Sequence, residues 1–239
     1  MKNIRVLDFG IQDYKEVLKL QERCFEKLVQ GKKEGFTEDE YLLLGEHPSV
    51  ITLGRKAQES NILVSPDSLN KFGIEVFHIG RGGDVTYHAP GQLIVYPIID
   101  LDRHKLGVKD YIYLLEECVI QLLKYYSIEG SRIEGATGVW IGKGTHNERK
   151  ICAMGIKCSR YCTMHGLALN VNTDLQGFSL INPCGFQDKG VTSIKEETGK
   201  EFNIKRIKND FLHIFFSLIF PFEKILDFTE KLGSENEII

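Results

Sequence analysis

The spacing of hydrophobic positions changes several times along this chain, and each change predicts a different element. Residues 3–9 predict a first strand. Over residues 14–29, Val17, Leu20, Cys24, Phe25 and Leu28 fall on one face, the spacing of an amphipathic helix. Short apolar runs at 50–53 and 74–79 predict strands, and 93–99 predicts a more continuous one. Pro97 inside that run points to an edge position or a bulge, because proline cannot donate to a ladder. Residues 80–91 read as a glycine-rich loop between two strands. A stripe of Tyr111, Leu114, Leu115, Cys118, Val119 and Leu122 predicts a helix over 108–125. Residues 138–141, 150–157 and 166–171 predict successive strands, with 142–149 as a polar turn, and 204–218 predicts a last helix. Strands come in clusters separated by a few helices, so the expected class is α+β with a mixed sheet rather than a regular βαβ alternation.

Composition narrows the function classes. The 239 residues are 42% hydrophobic and 26% charged, enough for one domain spanning 1–239 with a mobile tail after about 231. The net charge of −3 gives no basic footprint for nucleic acid. The apolar run at 211–222 is far short of a membrane span, and the N-terminus lacks the apolar stretch of a signal peptide. A cytoplasmic protein is expected, its six cysteines reduced, with no membrane partner. Cys152, Cys158 and Cys162 cluster without any CxxC pair, so no metal is expected and most thiols read as small core residues. No extended apolar surface helix is evident, and a monomer is expected.

Four segments carry candidate chemistry. Cys184 sits in an Asn182-Pro183-Cys184-Gly185 turn, where Pro183 fixes one backbone angle and Gly185 permits unusual ones. Arg81-Gly82-Gly83-Asp84-Val85-Thr86-Tyr87-His88 combines bare backbone N–H donors with a guanidinium suited to phosphate or carboxylate. It is neither a P-loop nor a dinucleotide fingerprint. Lys150 opens a Lys-Ile strand, a place where a lysine is usually just solvated. His165-Gly166-Leu167-Ala168 feeds an apolar strand, and a lone histidine is more often a structural hydrogen bonder than a catalyst.

Taken together, these pieces resemble the lipoyl(octanoyl) transferases. The run Arg81-Gly82-Gly83-x-x-Thr86-Tyr87-His88-x-x-Gly91-Gln92-x-x-x-Tyr96 is similar to that family's signature. The match continues through His47-Pro48, Thr52-Leu53-Gly54-Arg55, Lys150-Ile151, the run from His165 to Asn170, the Asn-Pro-Cys-Gly turn and Val191-Thr192-Ser193. Ala89 and Cys152 depart from it, standing where glycine and alanine are usual.

The resemblance implies the biotin/lipoate protein ligase-like fold, a mainly antiparallel mixed sheet flanked by helices. It implies an octanoyl group taken from acyl carrier protein, held as a thioester on Cys184, and passed to a lysine of a lipoyl domain. Acceptors would be the 2-oxoacid dehydrogenase complexes and the glycine cleavage H protein, with no cofactor. Cys184 and Lys150 would be catalytic. Arg81 to His88, Ala153, Met154, Gly155, Gly166, Leu167 and Ala168 would bind substrate, with His47 and His165 as possible support. Backbone N–H groups near Gly82, Gly83 and Gly166 are candidate oxyanion donors, and Cys152 would be an oxidisable thiol near the site. Lys32 and Lys33 could meet an acidic carrier, although a solvated helix end explains them better. Two other readings stay open: an ATP-dependent lipoate or biotin ligase of the same fold, and a non-catalytic acyl- or carrier-binding protein.

Overall fold

The chain enters the sheet through β1 (Ile4–Ile11) and leaves it at once into α1 (Tyr14–Glu34). Asp13 caps α1, its carboxylate accepting the Lys15 N–H, and Gly35 ends it in the left-handed conformation that glycine adopts without steric cost. The helix runs five residues past its predicted end at Val29: Gly31 is buried inside it, where a Cβ would crowd Glu38, and it is Gly35 that ends it. The return strand β2 (Glu40–Glu46) is buried along its whole length. It lies parallel to β1, so α1 is the crossover between them. Residues 4–182, 190–220 and the backbone of 229–231 are described in this computed structural model. Cys184, with its flanking Pro183 and Gly185, lies outside the described residues.

After β3 (Val50–Leu53), the short helix α2 (Pro66–Lys71), β4 (Glu75–His78), β5 (Val85–His88) and β6 (Gln92–Ile98) follow in order. The region read as a loop over 80–91 therefore contains a strand. Val-Thr-Tyr-His has strong strand preference, but glycine and proline on both sides hide it in the sequence. Then come α3 (Val108–Tyr125), β7 (Ser131–Ile133), β8 (Ala136–Ile141), β9 (Arg149–Ser159) and β10 (Cys162–Asn170). Last are β11 (Gly190–Val191), α4 (Ile194–Thr198), α5 (Ile204–Ile219) and β12 (Thr229–Lys231).

Nine strands form the main sheet, in the order β12-β1-β2-β6-β10-β9-β8-β7, with β11 added alongside β9. The path from β2 to β7 is antiparallel, while β1 pairs parallel with β2 and β12, and β11 pairs parallel with β9. A second sheet, β4-β3-β5, has three strands. This is the mixed α/β architecture the sequence predicts.

Strand alternation sends side chains to two cores. Leu42, Leu44, Leu93, Val95 and Leu169 pack against α3 and α5. Leu43, Ile94, Tyr96, Ile98 and Ala168 pack under α1, against Val17, Leu20, Phe25 and Leu28. Pro97 is not on an edge, because β6 lies between β2 and β10. Its ladder to β10 stops at the Leu167–Val95 pair. Beyond that point the Thr163 hydroxyl donates to the Pro97 carbonyl at 3.0 Å and accepts the Ile99 N–H at 3.2 Å. The irregularity sits opposite, in β10, where His165 takes a φ of 60°.

No helix among the described residues is long and apolar enough to cross a membrane. Lys32, at the end of α1, is held between Asp100 and Asp102 at 2.5 Å from each, so it belongs to an internal ion-pair cluster. Cys152 is fully buried in the α3–α5 core and not at the site surface. Burial also pushes its thiol pKa up, away from the reactive thiolate.

Candidate functional site

A cavity of about 520 Å³ lies where the glycine-rich segment and β5 cover β6, β9 and β10. Arg81, Gly82, Gly83, Asp84, Val85, Thr86 and His88 line one side. Lys150, Ala153, Met154 and Gly155 of β9, with His165, Gly166, Leu167 and Ala168 of β10, line the other. Two expected residues lie elsewhere. Tyr87 points to the opposite face of β5, where its hydroxyl pairs with Ser49 at 2.8 Å and its ring packs on Phe178. His47 stands behind the cavity wall, its ring against Phe9, Tyr14 and Tyr96.

Close backbone approach makes this layering possible. A Cβ on Gly155 would sit 2.7 Å from the Gly82 carbonyl oxygen, so the glycine-rich segment lies directly on β9. A Cβ on Gly166 would meet the Val95 carbonyl at 2.2 Å. The Gly82 N–H donates to the Ile156 carbonyl at 2.8 Å, which commits it to holding the loop and removes it as an oxyanion donor. Arg81 is similarly built in. Its guanidinium donates to the Thr52 carbonyl at 2.8 Å, the Thr52 hydroxyl at 2.9 Å and the Gly82 carbonyl at 3.0 Å. Its first role is to fasten the glycine-rich segment to β3.

The hydrogen bonds also fix the histidine tautomers. His88 Nδ1 lies 2.7 Å from Gln92 Oε1, an acceptor, so Nδ1 carries the proton and Nε2 faces the Thr52 hydroxyl. His47 donates from Nδ1 to the Gln12 carbonyl at 2.7 Å and accepts the Tyr96 hydroxyl at Nε2, 3.0 Å away. Burial drives all three histidine pKa values down, to about 4 for His47 and about 3 for His88 and His165. The Arg81 charge lowers those of His88 and His165 further. All three rings are neutral at physiological pH, and each is a weak base.

Lys150 is different in setting. Its ammonium lies 4.6 Å from the centroid of the Trp140 ring, a cation–π contact. Its backbone pairs with Val191 of β11, and its carbonyl accepts the Thr192 N–H at 2.9 Å. β11 directly follows residues 183–189 in the sequence. On their other side, the Asn182 N–H donates to the Asn61 carbonyl at 2.7 Å, and Asn61 Nδ2 holds the Asp84 carboxylate at 2.9 and 3.0 Å. Both described flanks of the Cys184 segment are thus tied to residues that line the cavity.

Tyr14, Gln92, Tyr96 and Asn170 also line the cavity; the sequence offers Gln92 as a donor and acceptor of the glycine-rich segment, places Tyr96 and Asn170 only within the family signature, and gives Tyr14 no role. Gln92 and Tyr96 carried a signal, since their spacing of four along one strand puts them on one face. Gln92 Nε2 donates to Asn170 Oδ1 at 2.8 Å, and Asn170 Nδ2 donates to the Thr192 carbonyl at 2.9 Å. This chain of amides links His88 to the strand beside Lys150. Among the described residues, no group of three or more His, Cys, Asp or Glu side chains is arranged to hold a metal ion.

Residues 13–216 match the family of the lipoyl protein ligase A/B catalytic domain. The chain is 49% identical over 208 residues to an octanoyltransferase of Bacteroides thetaiotaomicron, covering 87% of this chain and 91% of the relative. It is 46% identical over 219 residues to an octanoyltransferase of Parabacteroides distasonis, covering 91% and 99%. In fold it is similar to a bipartite lipoate protein ligase of Thermoplasma acidophilum, with a TM-score of 0.68 at 17% identity over 98% of this chain and 89% of that one. A biotin protein ligase of Aquifex aeolicus superposes with a TM-score of 0.52 at 16% identity, over 92% and 71%.

Proposed function

The chain belongs to the lipoyl protein ligase A/B catalytic-domain family, among its octanoyltransferases, and from that premise we propose the route by which it moves the acyl group. Cys184, as a thiolate, attacks the carbonyl carbon of an octanoyl thioester on acyl carrier protein. The bond from that carbon to the carrier's sulfur breaks, and the carrier leaves as a thiol with a proton from Lys150. The amine of a lipoyl-domain lysine then attacks the Cys184 thioester and gives up its proton to Lys150. The carbon–sulfur bond to Cys184 breaks, leaving an octanoyl amide on the acceptor. Acceptors on this reading are the lipoyl domains of 2-oxoacid dehydrogenase complexes and the glycine cleavage H protein. The enzyme works without a cofactor, as a cytoplasmic monomer whose residues 1–239 form one catalytic domain.

The observation that carries this reading is the placing of Lys150. It lines the cavity, pairs with the strand that follows the Cys184 segment, and stands where the available histidines are too weakly basic to compete. Met154 and Leu167 supply the apolar lining an octanoyl chain needs. With the Gly82 N–H committed to the Ile156 carbonyl and Gly166 paired with Gly155 in the β9–β10 ladder, this reading keeps Gly83 as the oxyanion candidate.

Incubation with octanoyl-acyl carrier protein, followed by intact-mass analysis, tests the route. One octanoyl adduct, labile to hydroxylamine and absent from Cys184→Ala, is the expected result. A wild-type protein that forms no adduct and needs ATP for transfer is a ligase instead. Undiminished turnover in Lys150→Ala removes Lys150 from the mechanism.

A further inference from the structure

We propose that Glu197 is a positioning residue that sets Lys150 in place from outside the cavity, acting through Arg149 and Thr192; the proposal rests on the role given to Lys150 above. β11 has only two residues, Gly190 and Val191, and pairs parallel with β9. Its backbone ties include Gly190 N–H to the Glu148 carbonyl at 3.2 Å and, just beyond it, Thr192 N–H to the Lys150 carbonyl at 2.9 Å. So short a parallel pair has little stability of its own.

Side chains fasten it. Glu197 Oε1 accepts Arg149 Nε at 2.7 Å, and Oε2 accepts Arg149 Nη2 at 2.5 Å. The same Oε1 accepts the Thr192 hydroxyl. Arg149 immediately precedes Lys150, and Thr192 immediately follows Val191, the residue paired with Lys150. One carboxylate therefore grips both strands on either side of that pair. Burial alone would raise the Glu197 pKa, but the hydrogen bonds from Arg149 and Thr192 hold it below the usual range, so the grip stays ionised.

Thr192 is the node of this clamp. Its N–H, carbonyl and hydroxyl are all used, by Lys150, Asn170 and Glu197 respectively. Asn170 holds it from the cavity side and Glu197 from the other. Misplacing a reacting group by about 1 Å costs on the order of 100-fold in rate, so a carboxylate that never reaches the substrate can still govern turnover.

Trp140 gives a readout that needs no substrate. It is the chain's one tryptophan, and the Lys150 ammonium lies over its ring. Emission of the Lys150→Met variant marks an indole with no ammonium above it. In Glu197→Ala, emission moves toward that value, and kcat falls by about 10- to 100-fold with KM for the octanoyl carrier within about threefold. Glu197→Gln falls between, because an amide still accepts the Thr192 hydroxyl but loses the charge paired with Arg149. Should Glu197→Ala fail to fold, Glu197→Gln carries both measurements. Wild-type emission and wild-type kcat in a folded Glu197 variant overturn the proposal. A wild-type protein that transfers no octanoyl group refutes the reaction route, while the emission measurement still decides the clamp.

Discussion

Gln21 of α1 accepts the backbone N–H of His165 at its Oε1, 3.1 Å away and 144 residues along the chain. His165 has a φ of 60°, so its N–H turns out of the regular ladder and toward the helix. Gln21 is fully buried, and among the described residues its Nε2 has no partner. Gln21→Met keeps the volume and removes the acceptor. It is expected to cost about 1–3 kcal/mol, the penalty for orphaning a buried donor. Urea unfolding measures it, and an unchanged midpoint would show that His165 keeps its conformation unaided.

Gly166 and Gly144 separate two reasons for glycine. A Cβ on Gly166 would meet the Val95 carbonyl at 2.2 Å and Pro97 Cδ at 2.8 Å, so β6 and β10 must part. Gly166→Ala is expected to cost about 3 kcal/mol, the upper end for overpacking. A Cβ on Gly144 would meet no atom within 4 Å, and only the φ of 79° objects. Gly144→Ala is expected to cost about 1–2 kcal/mol. Equal thermal shifts for the two would contradict this assignment.

Stability should fall in acid through the buried histidines. Unfolded histidine titrates near 6.5, whereas His47 stays neutral in the fold down to about 4 and His88 and His165 down to about 3. Between those limits the unfolded state binds more protons, so stability is fully present above about pH 6.5 and drains away as pH falls toward 3. Each such histidine contributes a slope of up to about 1.4 kcal/mol per pH unit. Urea midpoints between pH 7 and 4.5 in His47→Gln should fall less steeply than in the wild type.

Thiol labelling should sort the described cysteines by burial. Cys24, Cys118, Cys152 and Cys162 are buried and Cys158 is half-buried. Burial raises the pKa values of Cys24 and Cys162 to about 11 and those of Cys118 and Cys152 further. With iodoacetamide at neutral pH, peptide mapping should find Cys158 modified before the other four of these cysteines, which react only after unfolding. Early modification of Cys152 would return it to the neighbourhood of the site.

Much of the architecture can be read from periodicity. The helix at Val108–Tyr125 has the predicted bounds, because a stripe of Tyr111, Leu115, Cys118 and Leu122 has only one helical reading. β2 went unread because it is buried on both faces, so its Leu42-Leu43-Leu44 run shows no alternation. The site was legible as a set of segments, through family resemblance, but not as contacts. Nothing in the sequence says that Arg81 turns to Thr52, that Gly82 spends its N–H on Ile156, or that Tyr87 faces away from His88. Those outcomes depend on which strand lands opposite which, and register is a property of the whole sheet.

The hydrogen bonds from Gln92 to Asn170 and from Asn170 to Thr192 join segments 78 and 22 residues apart in the chain. Closing loops of that length has an entropic cost that only the assembled sheet repays. The cavity consequently has no independent existence: a ribosome-bound chain lacking β10 has no site, and a molecule that loses β10 loses its site in the same event. Catalytic activity during denaturation should therefore follow the global transition rather than precede it, which makes turnover itself a gauge of the folded fraction.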